Sequence, residues 1–264
     1  MTDFDRIAAI FRKHGCTEIG ICPFHAVSTR LLPCRAAGRL PTGTAGLVMT
    51  VFPYAFADES PRQISRYACV PDYHVAAGNV LKTICVDLRK AYPAFAFEAF
   101  MDNSPIPEVF AAATAGLGVV GDHGLLIHPR FGSFVFIGCV ATDLTISAPS
   151  FTVEGCPHCG RCSAACPGGC IGMGKETCLS GVSQQKKPLT AEQQQLLLAN
   201  GSAWGCDTCQ NVCSLNKQVV YAPHPCFTWY RPRVTEEDLA DLSDKAYGWR
   251  GEAVIRRNLE LFKR

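Results

Sequence analysis

Two closely spaced runs of cysteine lie between residues 156 and 213 of this 264-residue chain. The first run, from Cys156 to Pro167, reads C-x2-C-x2-C-x3-C-P, and the second, from Cys206 to Cys213, reads C-x2-C-x3-C. The first spacing is the one used by bacterial proteins that carry two iron–sulfur clusters, and such short spacings let several thiolates converge on one cubane. The two runs therefore predict iron–sulfur redox chemistry.

The number of thiols matches two [4Fe–4S] clusters. Four cysteines of the first run, the lone Cys178 and three cysteines of the second run make eight, and each cubane takes four thiolates. In this pattern the fourth cysteine of a run, just before the proline, ligates the other cluster. The longer spacing before Cys213 fits the same exchange in the second run, in which the last cysteine ligates the cluster of the first run. One cluster is therefore assigned Cys156, Cys159, Cys162 and Cys213, and the other Cys166, Cys178, Cys206 and Cys209.

Zinc and disulfide bonds are the alternative explanations for so many thiols. Zinc sites usually pair one C-x2-C with another, which leaves the C-x2-C-x2-C-x3-C-P run unexplained. Disulfides need an oxidising compartment, and the acidic, amphipathic start from Met1 to Arg6 resembles neither a signal peptide nor a twin-arginine signal. The other eight cysteines have no ligand spacing and are expected to be small buried hydrophobic residues: Cys16, Cys22, Cys34, Cys69, Cys85, Cys139, Cys170 and Cys226.

The composition is that of a globular protein in a reducing cytoplasm. Hydrophobic residues make up 48% of the chain and charged residues 18%, which is enough apolar content for one large core or two smaller ones. The net charge of +2 predicts no strong polyelectrolyte attraction to nucleic acid. No apolar run reaches membrane-spanning length, so we expect a cytoplasmic protein without a membrane partner.

The residues before the cysteine runs alternate between helical and strand patterns. Apolar residues recur at helical spacing from Phe4 to Phe11 and from Val80 to Tyr92, whereas 47–52, 95–101 and 134–141 are typical of strands. Such alternation leaves an α/β and an α+β arrangement open.

The whole chain is assigned to the α+β class. We expect an α/β sheet domain at 1–150, with a boundary near Ala148-Pro-Ser150, and a bacterial ferredoxin-like domain with two clusters at 151–230. Within it, a Gln-rich helix is expected from Ala191 to Ala199. A helical tail follows at 231–264, with a helix that begins near Thr235 in capping-box style and a basic helix from Glu252 to Phe262.

Two stretches of the first domain stand out as candidate binding or catalytic segments. Residues 64–74 are polar and aromatic without a clean period, and they lie between two well-patterned elements. The strand at 95–101 places Asp102 at its C-terminal end. The carboxylate of Asp102 either caps the following Asn-Ser-Pro turn or serves in chemistry.

Beyond these patterns, the sequence resembles the epoxyqueuosine reductases, the cobalamin and iron–sulfur enzymes of tRNA queuosine biosynthesis. The resemblance covers most of the chain and is carried by segments in register with that family. They are Ile64-Ser-Arg-Tyr-Ala68, Asp72-Tyr-His74, Asp102 to Glu108, Ala115-Gly-Leu-Gly118 with Gly121, Leu125-Leu-Ile127, Gly132-Ser133, both cysteine runs with Cys178-Leu-Ser180, Gly205 to Gln210, and Arg256-Arg-Asn258.

The resemblance implies a corrinoid between the sheet domain and the cluster domain. Electrons would come from an external donor of the flavodoxin or ferredoxin type and pass through the two clusters. The aspartate that matches Asp102 would act as the general acid, and shielding by the corrin would raise its pKa. The residues that the resemblance places at the cofactor are Arg66, Tyr73, His74, Gly116, Gly118, Gly121 and Ser133.

The chain departs from the family pattern at points that bear on its substrate. The family typically reads Gly-Leu-Gly-Trp-x-Gly-Lys where this chain reads Gly116-Leu-Gly-Val-Val-Gly-Asp122, so a tryptophan and a lysine are missing. Arg250, Arg256, Arg257, Lys263 and Arg264 form a basic end, but such a cluster is more often a solvated helix face than a tRNA-binding surface. Two other functions stay open: a dicluster electron-transfer protein without its own catalysis, and a corrinoid reductase that acts on another substrate.

Overall fold

The computed structural model describes residues 1–58, 60–147, 153–173 and 177–263. The strands among these residues are β1 (Ile19–Pro23), β2 (Gly46–Pro53), β3 (Phe97–Met101), β4 (Val119–Val120), β5 (Leu126–Ile127) and β6 (Val135–Thr142). Four of them form a sheet in the order β1–β2–β6–β3, and β4 pairs with β5 in a separate hairpin. The α-helices are α1 (Asp3–Lys13), α2 (Tyr73–Ala91), α3 (Glu108–Thr114), α4 (Arg161–Ala165), α5 (Leu179–Gln184), α6 (Ala191–Asn200), α7 (Thr208–Asn211), α8 (Glu236–Ala240) and α9 (Glu252–Leu261).

Every neighbouring pair of strands in the four-stranded sheet is antiparallel. The sequence pattern left α/β and α+β open for this half of the chain. Because α/β folds are built on mostly parallel sheets, the antiparallel ladders agree with the overall assignment to the α+β class but not with the α/β sheet domain expected at 1–150.

Helices cover both faces of the sheet, and this explains the unbroken apolar run of β2, which is buried at all its positions. Its side chains alternate between two cores, as the pleat requires. Val48 and Phe52 belong to the core beneath α1 and α2, whereas Met49 and Val51 belong to the core beneath α3. The central strands are therefore anchored on both sides, which holds the ends of β3 and β6 in fixed positions.

The helix α2 begins seven residues earlier than its apolar spacing predicts. Its first turn starts at Tyr73, and the side chain of Asp72 accepts a hydrogen bond from the backbone N–H of His74 as an N-cap. The buried residues in this early part are Ala77 and Gly78, which carry too little apolar surface to show a helical pattern. The consequence is that Tyr73 and His74 lie on a capped helix end rather than in a loop.

Backbone pairing joins the sheet half of the chain to the cysteine-bearing half. The N–H of Ser65 donates to the carbonyl of Trp204 at 2.8 Å, and the N–H of Ala203 donates to the carbonyl of Gln63 at 2.7 Å. Trp204 is fully buried in a third core with Tyr247 and Ile255. The segment just before Cys206 is thus attached directly to the segment that the sequence marks as a binding candidate.

The C-terminal elements match their sequence signals. Thr190 and Thr235 each form a complete capping box at the start of α6 and α8. The boundary expected near Ala148-Pro-Ser150 lies outside the described residues, so the division into 1–150, 151–230 and 231–264 stays a prediction. Among the described residues, no helix combines the length and the apolar character needed to cross a bilayer.

Candidate functional site

The four cysteines that the sequence assigns to one cluster line a single small cavity: Cys156, Cys159, Cys162 and Cys213. Cys162 is carried by α4, and Cys213 arrives from the second run after α7, which packs against α4. Cys159 is exposed, and the backbone N–H of Arg161 lowers the pKa of its thiol. Gly121 from the β4–β5 hairpin borders the same cavity.

The four cysteines assigned to the other cluster line a second, much larger cavity: Cys166, Cys178, Cys206 and Cys209. The short helix α4 contains Cys162 and ends just before Cys166, yet the thiols of these two residues border different cavities. Cys170, which the sequence treats as a scattered thiol, borders this cavity as well. The structure therefore brings the eight thiols together in the two predicted sets, with one extra member.

Three residues near the first cavity could hold a single metal ion. The ligand atoms of Asp122, Cys156 and His158 lie within 4.8 Å of one another, and Asp122 Oδ1 is 2.6 Å from His158 Nδ1. A zinc ion bound there would leave Cys159 and the other two thiols of the cavity unused. The arrangement of the four thiols is better explained by a cubane, which takes all of them.

The large cavity has a volume of about 590 Å³ and lies between the sheet and the cysteine-bearing segment. The strand β6 contributes an apolar wall through Val135, Phe136 and Ile137. Tyr54 and Ser133 add hydroxyl groups. A cavity of this size, apolar with a few polar groups, is typical of a site for a large organic molecule.

A buried polar network forms one end of this cavity. Ser133 Oγ donates to Gln210 Oε1 at 2.9 Å, and Asn216 Nδ2 donates to Ser133 Oγ at 2.8 Å. The hydroxyl of Tyr54 also donates to Gln210 Oε1, at 3.3 Å. Because Gln210 Oε1 already accepts two hydrogen bonds, the side-chain N–H groups of Gln210 are the atoms that can donate to a molecule in the cavity. Ser133 was predicted as a cofactor residue, whereas Gln210 and Asn216 were not, although Gln210 directly follows Cys209.

Tyr73, His74 and Asp102 form a hydrogen-bonded trio at the end of β3. The hydroxyl of Tyr73 donates to Asp102 Oδ2 at 2.6 Å, and His74 Nε2 lies 3.3 Å from the same oxygen. The ring of Tyr73 stacks on Phe136, with ring centroids 4.1 Å apart. Phe136 lines the large cavity, so Tyr73 contacts one of its wall residues, although no member of the trio belongs to the lining itself.

The protein groups around Asp102 lower its pKa, whereas the rise expected from shielding by a bound corrin stays a prediction. The hydrogen bond to His74 is the main cause, and together with the bond from Tyr73 it outweighs the partial burial of the carboxyl. Burial alone would lower the pKa of His74, but its hydrogen bonds to Asp102 and Asp72 raise it to about 9. At neutral pH the mobile proton of this trio therefore resides on His74.

A pH-dependent stability difference follows from this pKa. The charges that face His74 are Asp72 at its own helix cap, Asp102 after β3 and Glu108 at the start of α3. The stabilisation from protonated His74 is fully present below its unfolded pKa of 6.5 and is lost as the pH rises through about 9. We expect the melting temperature of His74→Gln to fall below that of the wild type near pH 6 and to approach it at about pH 10.

A His25→Gln variant, at an exposed histidine, should show no such trend, and a pH-independent difference for His74→Gln would contradict the assignment.

Glu108 is a second carboxyl at this site that the sequence did not single out. Burial raises its pKa well above the ordinary value, and the charge of Asp102 raises it further. Its Oε1 atom is buried without a hydrogen-bond partner. Two neighbouring carboxyls whose pKa values are pushed apart are the usual mark of distinct acid and base roles.

The remaining predicted cofactor residues lie in several places. The guanidinium of Arg66 lies over the ring of Phe134 at 5.1 Å, and the backbone N–H of Arg66 donates to Asp207 between Cys206 and Cys209. Gly118 lies so close to the carbonyl of Ile127 that an added Cβ would be 2.4 Å from it, which explains glycine there. Neither Gly116 nor Gly118 is part of the two cavity linings. Their role at a cofactor therefore stays a prediction.

Two of the five residues of the basic end, Arg256 and Arg257, are engaged in internal contacts. Arg256 pairs with Glu236 and Glu252. Arg257 donates to the carbonyls of Gln185 and Lys187. These two guanidinium groups therefore hold the C-terminal helix in place and are not free for phosphates.

Comparison with known proteins was made by sequence and by structure. No family model matches the chain. An epoxyqueuosine reductase of Lactococcus garvieae is 31% identical over 226 residues, which are 77% of this chain and 64% of that enzyme. The Escherichia coli enzyme of the same name is 31% identical over 181 residues, 67% of this chain and 44% of that enzyme. The chain thus spans roughly half to two thirds of the length of these relatives.

Solved structures share the fold. The epoxyqueuosine reductase of Streptococcus thermophilus superposes with a TM-score of 0.83 at 20% identity, over 99% of this chain and 80% of that one. An epoxyqueuosine reductase in complex with a modified tRNA stem loop matches with a TM-score of 0.82 at 22% identity, over 98% of this chain and 80% of that one. The catabolic reductive dehalogenase NpRdhA matches more distantly, with a TM-score of 0.53 at 17% identity, over 97% of this chain and 36% of that one.

Proposed function

The chain is a homologue of the epoxyqueuosine reductases, and on that premise we propose that it is an iron–sulfur oxidoreductase that uses a corrinoid to reduce an epoxide to an alkene in tRNA queuosine biosynthesis. The observation that carries the proposal is the grouping of eight thiols at two adjacent cavities, one of which is also the largest apolar cavity described. A redox group ligated by the second set of thiols would lie against any occupant of that cavity.

The proposed cluster ligands follow from the two linings. Cys156, Cys159, Cys162 and Cys213 hold the first cluster, and Cys166, Cys178, Cys206 and Cys209 hold the second. Cys159 is exposed, whereas the second set lies inside the wider cavity. With clusters bound, the exposed first set would be the side accessible to a donor of the flavodoxin or ferredoxin type, and the second set would face the occupant of the large cavity.

The large cavity fits a corrinoid in the character of its walls. The apolar side chains of β6 suit the flat face of a macrocycle, and the amide of Gln210 with the hydroxyls of Ser133 and Tyr54 suits its polar side chains. When bound, the reduced cofactor supplies a strongly reducing and nucleophilic metal centre. The protein supplies binding, orientation and protons.

Proton delivery is the proposed task of the trio, whose Asp102 carboxylate is 60% exposed and accessible to a substrate. Reduction of an epoxide to an alkene consumes two electrons and two protons and releases the oxygen as water. Asp102 Oδ2 takes a proton from His74 Nε2, 3.3 Å away, and passes it to the departing oxygen. Tyr73 holds the same carboxylate oxygen in place through its 2.6 Å hydrogen bond, and Glu108, whose pKa is raised by burial, is a second carboxyl close to Asp102.

Two alternative functions make different demands on the chain. A dicluster electron carrier needs no cavity of about 590 Å³ beside its second cluster. A corrinoid reductase with another substrate is supported by the fold it shares with NpRdhA, but by fold alone. Epoxyqueuosine in tRNA is favoured because the relatives matched by sequence carry that enzyme name.

Metal and cofactor content of anaerobically purified protein tests the proposal. We expect about eight irons per chain, from two [4Fe–4S] clusters, and retention of one corrinoid per chain after incubation and desalting. Activity is then assayed on a tRNA stem loop that carries epoxyqueuosine. Zinc in place of iron would overturn the cluster assignment, and full iron without retained corrinoid would indicate an electron carrier.

A further inference from the structure

The second set of thiols has one more member than a cubane can use. Five cysteines line the large cavity, because Cys170 joins the four predicted ligands. The first cavity is lined by four cysteines among the described residues. A [4Fe–4S] cluster takes four thiolates, one on each iron.

The extra thiol contacts Cys166 and also lies near Cys178, a second predicted ligand of the same set. Cys170 Sγ is 3.5 Å from Cys166 Sγ, which is close to van der Waals contact for two sulfur atoms. Thiolates on different irons of a cubane diverge from its centre and cannot lie in contact. In a cluster bound here, the thiols of Cys166 and Cys170 would therefore both be within reach of the same iron.

A tight turn holds Cys170 in this position. The N–H of Gly169 donates to the carbonyl of Cys166 at 3.0 Å, which folds the Pro-Gly-Gly stretch back on itself. Gly168 packs so closely on Thr177 that an added Cβ would lie 1.9 Å from the carbonyl oxygen of Thr177. Because Thr177 precedes Cys178, the turn also links Cys170 to a further ligand of the same set.

Cys170 does not behave like the scattered cysteines elsewhere in the chain. Cys16, Cys85 and Cys139 are buried in the two cores that cover the sheet. Cys170 is only partly buried and belongs to none of the described hydrophobic cores. Its side chain borders the cavity and contacts a thiol, which is the environment of a ligand and not of a packing residue.

We propose that Cys170 is an alternate ligand of the second cluster and can replace Cys166 on the same iron. This inference rests on the proposed function, since it requires that a cluster is bound there. The exchange is a ligand substitution without electron transfer. The Sγ–H bond of Cys170 breaks as its sulfur binds iron, and the sulfur of Cys166 leaves the iron and takes up a proton.

Iron counting on four variants tests the proposal. Cys166→Ala, Cys170→Ala, the double variant and Cys213→Ala are purified anaerobically, and iron, acid-labile sulfide and electron paramagnetic resonance spectra are recorded. We expect both single variants at this corner to retain two four-iron clusters, whereas the double variant carries a three-iron cluster or loses it. Cys213→Ala is the matched control, because its cavity has no fifth thiol among the described residues, and it should lose iron as a single variant.

The outcomes separate this inference from the function on which it rests. A wild type with two cubanes and a Cys166→Ala variant as depleted as the double variant would overturn the role of Cys170 alone. A wild type without two cubanes would overturn the cluster assignment itself. Retention of the first cluster in every variant at the Cys166 corner shows that the fold has survived.

Discussion

Replacing Asp102 with asparagine is expected to lower turnover by about 10²- to 10⁴-fold, the usual contribution of a positioned proton donor. Asparagine keeps the shape of the side chain and can still accept the hydrogen bond from Tyr73, but it cannot take and release a proton. The backbone should not change either. Asp102 has a φ of +53°, a left-handed conformation that asparagine adopts more easily than most residues.

Cofactor content distinguishes a lost proton donor from a damaged site. Iron and retained corrinoid in Asp102→Asn should equal those of the wild type, so that the loss lies in turnover alone. Asp143→Asn is a suitable control, because Asp143 accepts a backbone hydrogen bond from Ala96 and lies outside the described cavity linings. Full activity in Asp102→Asn would return Asp102 to a turn-capping role.

Truncating Trp204 is expected to destabilise the protein by about 3 to 5 kcal/mol, as for other fully buried large aromatic residues. Its side chain is 0% exposed, and its indole N–H donates to the hydroxyl of Tyr67 at 2.8 Å. Trp204→Ala would leave a void in the third core and remove that donor. Because 1 kcal/mol corresponds to roughly 2–4 °C for a chain of this size, the melting temperature should fall by roughly 6 to 20 °C.

An exposed tryptophan provides the control for this measurement. Trp249 is 57% exposed, and the guanidinium of Arg250 lies over its ring at 3.6 Å. Trp249→Ala should change the free energy of unfolding by about 0.5 kcal/mol or less. Equal melting temperatures for the two variants, measured on anaerobic protein with matched iron content, would show that Trp204 does not hold the two halves together.

The parts of the site that the sequence predicts best are those where spacing alone carries the chemistry. The cysteine runs indicate their two thiol sets because short loops can place sulfurs in few ways. The strand at 47–52 was recognisable because burial on both faces requires an unbroken apolar run. The antiparallel pairing was not recognisable, since the direction of a ladder leaves no mark in the pattern of a single strand.

The residues that the sequence missed act through tertiary contacts. Glu108 looks like an ordinary acidic residue at a helix start, and only burial beside Asp102 raises its pKa. For His74 the raised pKa favours the charged form, because the imidazole is hydrogen-bonded to two carboxylates from separate segments. The effect of His74 on the pKa of Asp102 was not foreseen for the same reason, since no sequence pattern reveals that a histidine at the start of α2 would lie beside this carboxylate.

The pairing of Gln63 and Ser65 with Ala203 and Trp204 has a consequence for biosynthesis. All six strands are synthesised before the first of the eight candidate ligands emerges from the ribosome. The nascent sheet can therefore close early and present residues 63–65 as a template, to which the late segment docks just ahead of Cys206. Cys206 would then be positioned by these main-chain contacts before any cluster is inserted.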